Sequence, residues 1–127
     1  GVRLSPASRE ARLCSNLTPS ANIRPTSPKV SKAEAAKALD AVGLDGSSRQ
    51  PVRELSGGMC RRVAILRALM ADYDLLFLDE PFKGLDEATK ELVIRDTKMR
   101  STGKTVLLVT HEREEAAAMG ACQILEL

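Results

Sequence analysis

The chain has 127 residues, 43% apolar and 28% charged, enough to bury one modest core. Its only aromatic residues are Tyr73, Phe77 and Phe82, which excludes a base-stacking platform for single-stranded nucleic acid. The net charge of +2 divides into +4 over residues 1–30 and −2 over the rest, too weak an asymmetry to indicate nucleic acid.

Cys14, Cys60 and Cys122 are odd in number and widely spaced, without a CxxC pair. They read as free thiols of a reducing compartment, not as a disulfide or zinc framework. No apolar run approaches the roughly 20 residues that span a bilayer, and no signal-peptide pattern is present. The expectation is a cytosolic protein that reaches a membrane only through a partner.

Residues 1–30 are interrupted by Pro6, Pro19, Pro25 and Pro28 and keep no apolar periodicity. They read as an irregular, poorly ordered arm, and residues 31–127 as the folded part. Ser31-Lys-Ala-Glu34 is a capping-box pattern, followed by an Ala-rich run to Val42 and a stop at Gly43, which predicts a helix over 31–42. Leu44 to Pro51 reads as a polar connection.

In Leu55-Ser-Gly-Gly-Met59, Ser56 is a suitable N-cap for a helix on which Met59, Val63, Leu66 and Met70 form one stripe. Gly57 and Gly58 leave the first N–H groups of that helix sterically open, with the positive end of its dipole behind them. This arrangement suits a phosphate, and equally suits an ordinary Ser-capped helix with a Gly-rich approach.

Leu75-Leu-Phe-Leu-Asp-Glu-Pro81 is an apolar run that stops at two acids and a proline. It predicts a strand buried on both faces of a parallel sheet, ended by Pro81, which has no N–H to donate. Asp79 and Glu80 then lie at the carboxyl end of the strand, where open α/β sheets place ligands. They suit a metal ligand beside a water-activating base, or caps for the next helix.

After a turn at Lys83-Gly-Leu-Asp86, Asp86 can cap a helix running to about Arg100. Thr105 to Thr110 predicts a second buried strand ending at His111. A short helix over Glu112–Met119 and a third strand beginning at Gln123 follow. Such alternation implies parallel strands joined by crossovers, hence an α/β fold. Parallel strands end at the same edge, so Glu80 and His111, 31 positions apart, can share one site. There the carboxylate can activate water and the imidazole can hold that water and a terminal phosphate.

Leu55-Ser-Gly-Gly-Met59, Leu75-Leu-Phe-Leu-Asp-Glu-Pro81, Gly84-Leu-Asp86 and Thr110-His111-Glu112 resemble, in order and spacing, four motifs of the ABC transporter ATP-binding subunit. These are its signature, Walker B, D-loop and switch-histidine segments. The resemblance is to the nitrate, sulfonate and taurine importer type and covers residues 31–127. It implies a partial P-loop NTPase fold, a parallel sheet flanked by helices with part of the helical signature subdomain. It also implies ATP and Mg²⁺ as ligands, a membrane permease as partner, and a second ATPase subunit in a head-to-tail dimer. The implied place is the inner face of the cell membrane.

By that resemblance Asp79 helps hold Mg²⁺, Glu80 polarises the attacking water and His111 contacts the γ-phosphate. Ser56, Gly57 and Gly58 close over ATP bound to the opposite subunit, and Asp86 couples the two sites. One element of the family pattern is missing. No G-x-x-x-x-G-K-[ST] occurs in these residues, and Gly103-Lys104-Thr105 lacks the upstream glycine and leads into a strand. Residues 9–17 resemble the segment after the family's Q-loop, with Arg9 in place of its glutamine. The expectation is the C-terminal portion of an ATPase domain without Walker A, whose independent activity is in doubt. The alternatives are a non-catalytic module that docks on or regulates an intact ATPase, a non-transport ABC ATPase, and a self-associating fragment with an exposed sheet edge.

Overall fold

A computed structural model describes residues 19–23, 29–44 and 50–126. Helix α1 spans Pro19–Ile23, α2 Lys32–Ala41, α3 Gly57–Leu69, α4 Glu87–Arg100 and α5 Arg113–Ala118, with a short 3₁₀ turn at Val52–Glu54. Strands β1 (Leu75–Asp79) and β2 (Thr105–Val109) pair in parallel, Leu75 opposite Thr105 through Asp79 opposite Val109.

The helices begin and end where their side chains dictate. The Ser31 hydroxyl accepts from the Glu34 N–H at 3.1 Å, capping α2. At its other end Gly43 is left-handed, with φ +79°. That conformation lets the Gly43 N–H reach the Asp40 carbonyl and the Leu44 N–H reach the Leu39 carbonyl, consuming two orphan acceptors. Ala35, Ala38 and Leu39 give α2 its buried face. On α3 the buried residues Val63, Ile65, Leu66, Ala68 and Leu69 form a broader face than the expected stripe, while Met59 and Met70 are half-buried.

One continuous core joins Ile23, Leu39, Val63, Leu66, Leu76, Leu78, Phe82 and Val93. Phe82, Leu66 and Leu76 are wholly shielded from water, each stabilising the fold by about 1.5–3 kcal/mol. Phe82 follows the strand directly, so the turn after the two acids is anchored in this core.

Three expectations are corrected. The strands are not buried on both faces: Leu76 and Leu78 point into the core, while Leu107 is 53% and Val109 41% exposed on the opposite face. The helices that pack against the sheet cover the Leu76 side, and no described element covers the other. The third strand expected from Gln123 is not formed among the described residues; Gln123–Glu126 is exposed and irregular, with Glu126 ion-paired to Arg113. A strand needs a neighbour for its backbone hydrogen bonds, and none of the described elements offers one there. The irregular arm also contains structure, since α1 seats Ile23 at 0% exposure in the core. Residues 1–18 and 24–28 of that arm lie outside the described residues. No described helix is long and apolar enough to cross a membrane.

Candidate functional site

The parallel register brings the two strand ends to one edge, and there the expected pair meets. His111 Nε2 lies 3.3 Å from Glu80 Oε1, an ion-pair distance without hydrogen-bond alignment. The imidazole is 94% exposed, whereas the Glu80 side chain is 21% exposed. Glu80 Oε1 itself is buried and accepts no hydrogen bond among the described residues. A buried carboxylate oxygen without a donor is costly unless a ligand or water completes it.

The backbone of Glu80 is the strained point of the site. Its φ is +48°, the only non-glycine among the described residues in the left-handed region. Such a conformation costs about 1–3 kcal/mol for an L-residue and persists only where neighbours impose it. Here the Glu80 N–H donates to the Val109 carbonyl at 2.8 Å, prolonging the ladder past β1. The Glu80 carbonyl accepts from an Arg61 guanidinium nitrogen at 2.6 Å and from the Lys83 N–H at 3.4 Å. Pro81 and Phe82, both buried, fix the turn that follows.

Asp79 ends β1 opposite Val109, one residue before Glu80. Neither acid caps a helix, because the next helix starts at Glu87 and is capped by Asp86. That removes the capping reading for both. Mg²⁺ is commonly held by one or two carboxylates, water and substrate phosphates, so Asp79 beside the unfilled Glu80 oxygen fits that ion. No group of three or more His, Cys, Asp or Glu placed to hold a metal ion occurs among the described residues, and Mg²⁺ held largely by water and phosphates requires none.

Ser56 caps α3, its hydroxyl accepting from the Met59 N–H at 3.2 Å, which leaves the O–H proton to donate. A Cβ at Gly57 would meet nothing within 4 Å, so the helix start is open to an approaching group. A Cβ at Gly58 would meet Leu85 Cδ2 at 3.4 Å, which sets the signature turn against the Gly84-Leu-Asp86 turn. Asp86 accepts from the Thr89 N–H at 2.8 Å, and this hydrogen bond holds its carboxyl below the usual carboxylate range. Ser56, Gly57, Gly58 and Asp86 thus border one surface. Among the described residues no hydrogen bond or ion pair joins them to Glu80 or His111, and Arg61 on α3 is the link between the two groups.

Two features escaped the sequence. One is Arg61, whose place three residues after Gly58 was indistinguishable from a solvated helix face. The other is a charged cluster behind His111. Lys90 Nζ, 13% exposed, sits 3.1 Å from Glu112, 3.4 Å from Glu115 and 3.7 Å from Glu87. The hydrogen bond to Glu112, with the nearby carboxylates, holds Lys90 above its ordinary value. Glu115 is buried and accepts from the Thr110 hydroxyl at 2.7 Å, and that hydroxyl accepts from the Glu112 N–H at 3.1 Å. The backbone on both sides of His111 is therefore tied to α4 and α5. Glu87 and Lys90 at i and i+3, with Glu112 and Glu115 at i and i+3, were the available signal. Arg62 also bridges helices, donating to the Val42 carbonyl at 2.9 Å and the Gly58 carbonyl at 3.3 Å.

The ABC transporter family model matches residues 2–83, more than half of the chain. That match begins well before residue 31, so the family relationship reaches into the segment read as an arm. A taurine import ATP-binding protein from Pelagibacter ubique is 46% identical over 86 residues, 65% of this chain and 32% of that protein. A zinc transport system ATP-binding protein from Treponema pallidum is 41% identical over 90 residues, 70% of this chain and 34% of that protein. The chain thus spans about a third of the length of these curated relatives. Among solved structures, the ATP-binding cassette MJ0796, a dimer bound to ADP and Pi, superposes with a TM-score of 0.75 at 29% identity. That match covers 92% of this chain and 56% of the cassette. The strand pair and its flanking helices are those of a partial ATP-binding cassette, and the chain belongs to the ABC transporter family.

Proposed function

We propose that these residues supply the signature, Walker B, D-loop and switch-histidine surfaces of an ATP-hydrolysing subunit that powers solute uptake through a membrane permease. The observation that carries this reading is the Glu80–His111 pair at 3.3 Å, with Glu80 Oε1 buried and without a hydrogen-bond donor. That oxygen accepts a hydrogen bond from the attacking water and draws off its proton. The exposed imidazole of His111 reaches the terminal phosphate of ATP and orients it. Asp79 holds Mg²⁺ through water, and the ion, when bound, neutralises charge on the phosphate oxygens. Ser56, Gly57 and Gly58 present open N–H groups and a hydroxyl to the γ-phosphate of ATP on a second ATPase subunit, arranged head to tail. Asp86, beside that turn, couples the two sites. The dimeric cassette among the similar structures supports a second ATPase partner, and the import proteins among the relatives support the permease.

These 127 residues contain no G-x-x-x-x-G-K-[ST] to cradle the β- and γ-phosphates. The signature surface is therefore expected to act on nucleotide held by a complete cassette. Calorimetry with MgATP and a phosphate-release assay test this, using the chain alone and mixed with both a complete cassette and a family segment that supplies the missing phosphate loop to the Glu80 site. The chain alone is expected to bind ATP no tighter than about millimolar, since electrostatic phosphate contacts dominate this chemistry. In the mixture, Glu80→Gln is expected to lower the chain's contribution to phosphate release by about 10²–10⁴-fold and to retain nucleotide. Release that depends on the chain but not on Glu80 would replace this reading with a second one, favoured by the missing phosphate loop. That second reading is a non-catalytic module that regulates an intact ATPase.

A further inference from the structure

Arg61 is the fifth residue after Ser56, on the same helix whose start is offered to a phosphate. From there its guanidinium makes a 2.6 Å hydrogen bond to the main-chain carbonyl of Glu80. That carbonyl belongs to the residue with φ +48°, and its rotation is set by what it bonds. Relaxing Glu80 to an ordinary negative φ would swing the carbonyl away from α3 and turn the side chain away from His111. On its other side the residue is held by the N–H bond to the Val109 carbonyl at 2.8 Å. On the carbonyl side Arg61 is the charged donor, beside a longer 3.4 Å bond from the Lys83 N–H, and without it the residue can rotate and loosen the Val109 bond as well.

We propose that Arg61 is a positioning residue that keeps Glu80 left-handed and so keeps its carboxylate against His111. Through it, a displacement of α3 by a group bound at Ser56–Gly58 is transmitted to the carboxylate of the same chain. This deepens the proposed function and rests on Glu80 acting there as the water-polarising group. The link is mechanical and direct: Arg61 stands three residues after Gly58 on one helix, and one hydrogen bond joins it to the Glu80 backbone.

The test uses the whole chain without nucleotide. His111 is the only histidine, so its imidazole resonances are assigned without ambiguity. Amide exchange at Glu80 reports the bond to Val109, and exchange at Leu76 reports the strand as a whole. Arg61→Ala is expected to speed exchange at Glu80 by about tenfold or more, as for loss of a charged hydrogen bond, with Leu76 unchanged. It is also expected to move the imidazole resonances in the same direction as Glu80→Gln. Arg61→Lys, which keeps a charged donor, should restore both readouts in part, and Arg95→Ala at an exposed position of α4 should move neither. Uniformly faster exchange at Glu80 and Leu76 would reduce Arg61 to general packing and overturn the proposal. Unchanged Glu80 exchange in Arg61→Ala would overturn it too. If Arg61→Ala does not fold, Arg61→Lys and Arg61→Gln carry the same comparison, with Lys expected nearer to wild type. None of these readouts needs ATP, so a failed positioning role leaves the proposed function standing. Conversely, phosphate release insensitive to Glu80→Gln overturns the function while leaving the hold on the backbone measurable.

Discussion

Replacing Glu80 by glycine and, separately, by alanine isolates the backbone at this position from its carboxylate. Both variants lose the same 3.3 Å contact to His111 and keep the main-chain bonds to Val109 and Arg61. They differ only in Cβ. At φ +48° the Cβ costs about 1–2 kcal/mol in the folded state. Glycine in turn loses about 0.5–1 kcal/mol more conformational freedom on folding than alanine. The difference leaves Glu80→Gly more stable than Glu80→Ala by about 0.5–1 kcal/mol. For a chain of this size that is about 2–5 °C in Tm. The same pair of substitutions at exposed Lys37, inside α2, is expected to give the reverse order by about 1 kcal/mol. Urea denaturation with unchanged m-values measures both comparisons. Glycine ranking below alanine at position 80 as well would refute the left-handed backbone and the strain assigned to it.

Tyr73 has a wholly buried hydroxyl with no hydrogen-bond partner among the described residues, so Tyr73→Phe should raise stability at neutral pH by up to about 1 kcal/mol. Burial raises the Tyr73 phenol above its ordinary value, so its protonated form contributes stability below about pH 10 that is lost as pH rises through the folded value. The advantage of Tyr73→Phe should therefore widen above pH 10, and melts showing it narrowing there would contradict this. Ser56→Ala removes the cap on the Met59 N–H and should cost about 1 kcal/mol, with Ser56→Asn recovering most of it in urea titrations. Leu107→Thr trims the exposed sheet face and should reduce self-association in sedimentation experiments at a cost under about 1 kcal/mol. Self-association that persists unchanged would exclude that face as its cause.

Much of the fold was legible because its signals are local. Ser31, Ser56 and Asp86 each cap a helix through a hydrogen bond three residues ahead, and Gly43 ends one at positive φ. The sharing of an edge by Glu80 and His111 was also legible, since strand polarity alone decides it. What escaped depends on distant neighbours. The run Leu75–Leu78 specifies a strand that tolerates burial on both sides, but which sides are covered depends on other segments. Gln123–Glu126 has strand character yet no described partner to pair with. Ile23 enters the core from a proline-rich stretch that shows no periodicity, and Arg61 gains its meaning only when the turn after β1 folds against α3. The roles of individual residues toward ATP are chemistry that the pattern suggests and the MgATP experiments decide.

The parallel pairing of β1 with β2 also fixes when the acid and the imidazole first meet. They are 31 positions apart, and the intervening α4 carries its own cap, so local order there does not bring the ends together. Only closure of the strand–helix–strand unit does, and such non-local closure is slow compared with helix formation. A register slip of one residue would shift the Val109 carbonyl from the Glu80 N–H and turn Leu76 and Leu78 out of the core. The core and the Glu80–His111 pair thus demand the same register. A nascent chain therefore holds no half-assembled version of this pair: it arrives with the sheet, in one step, and is lost in one step when the sheet opens.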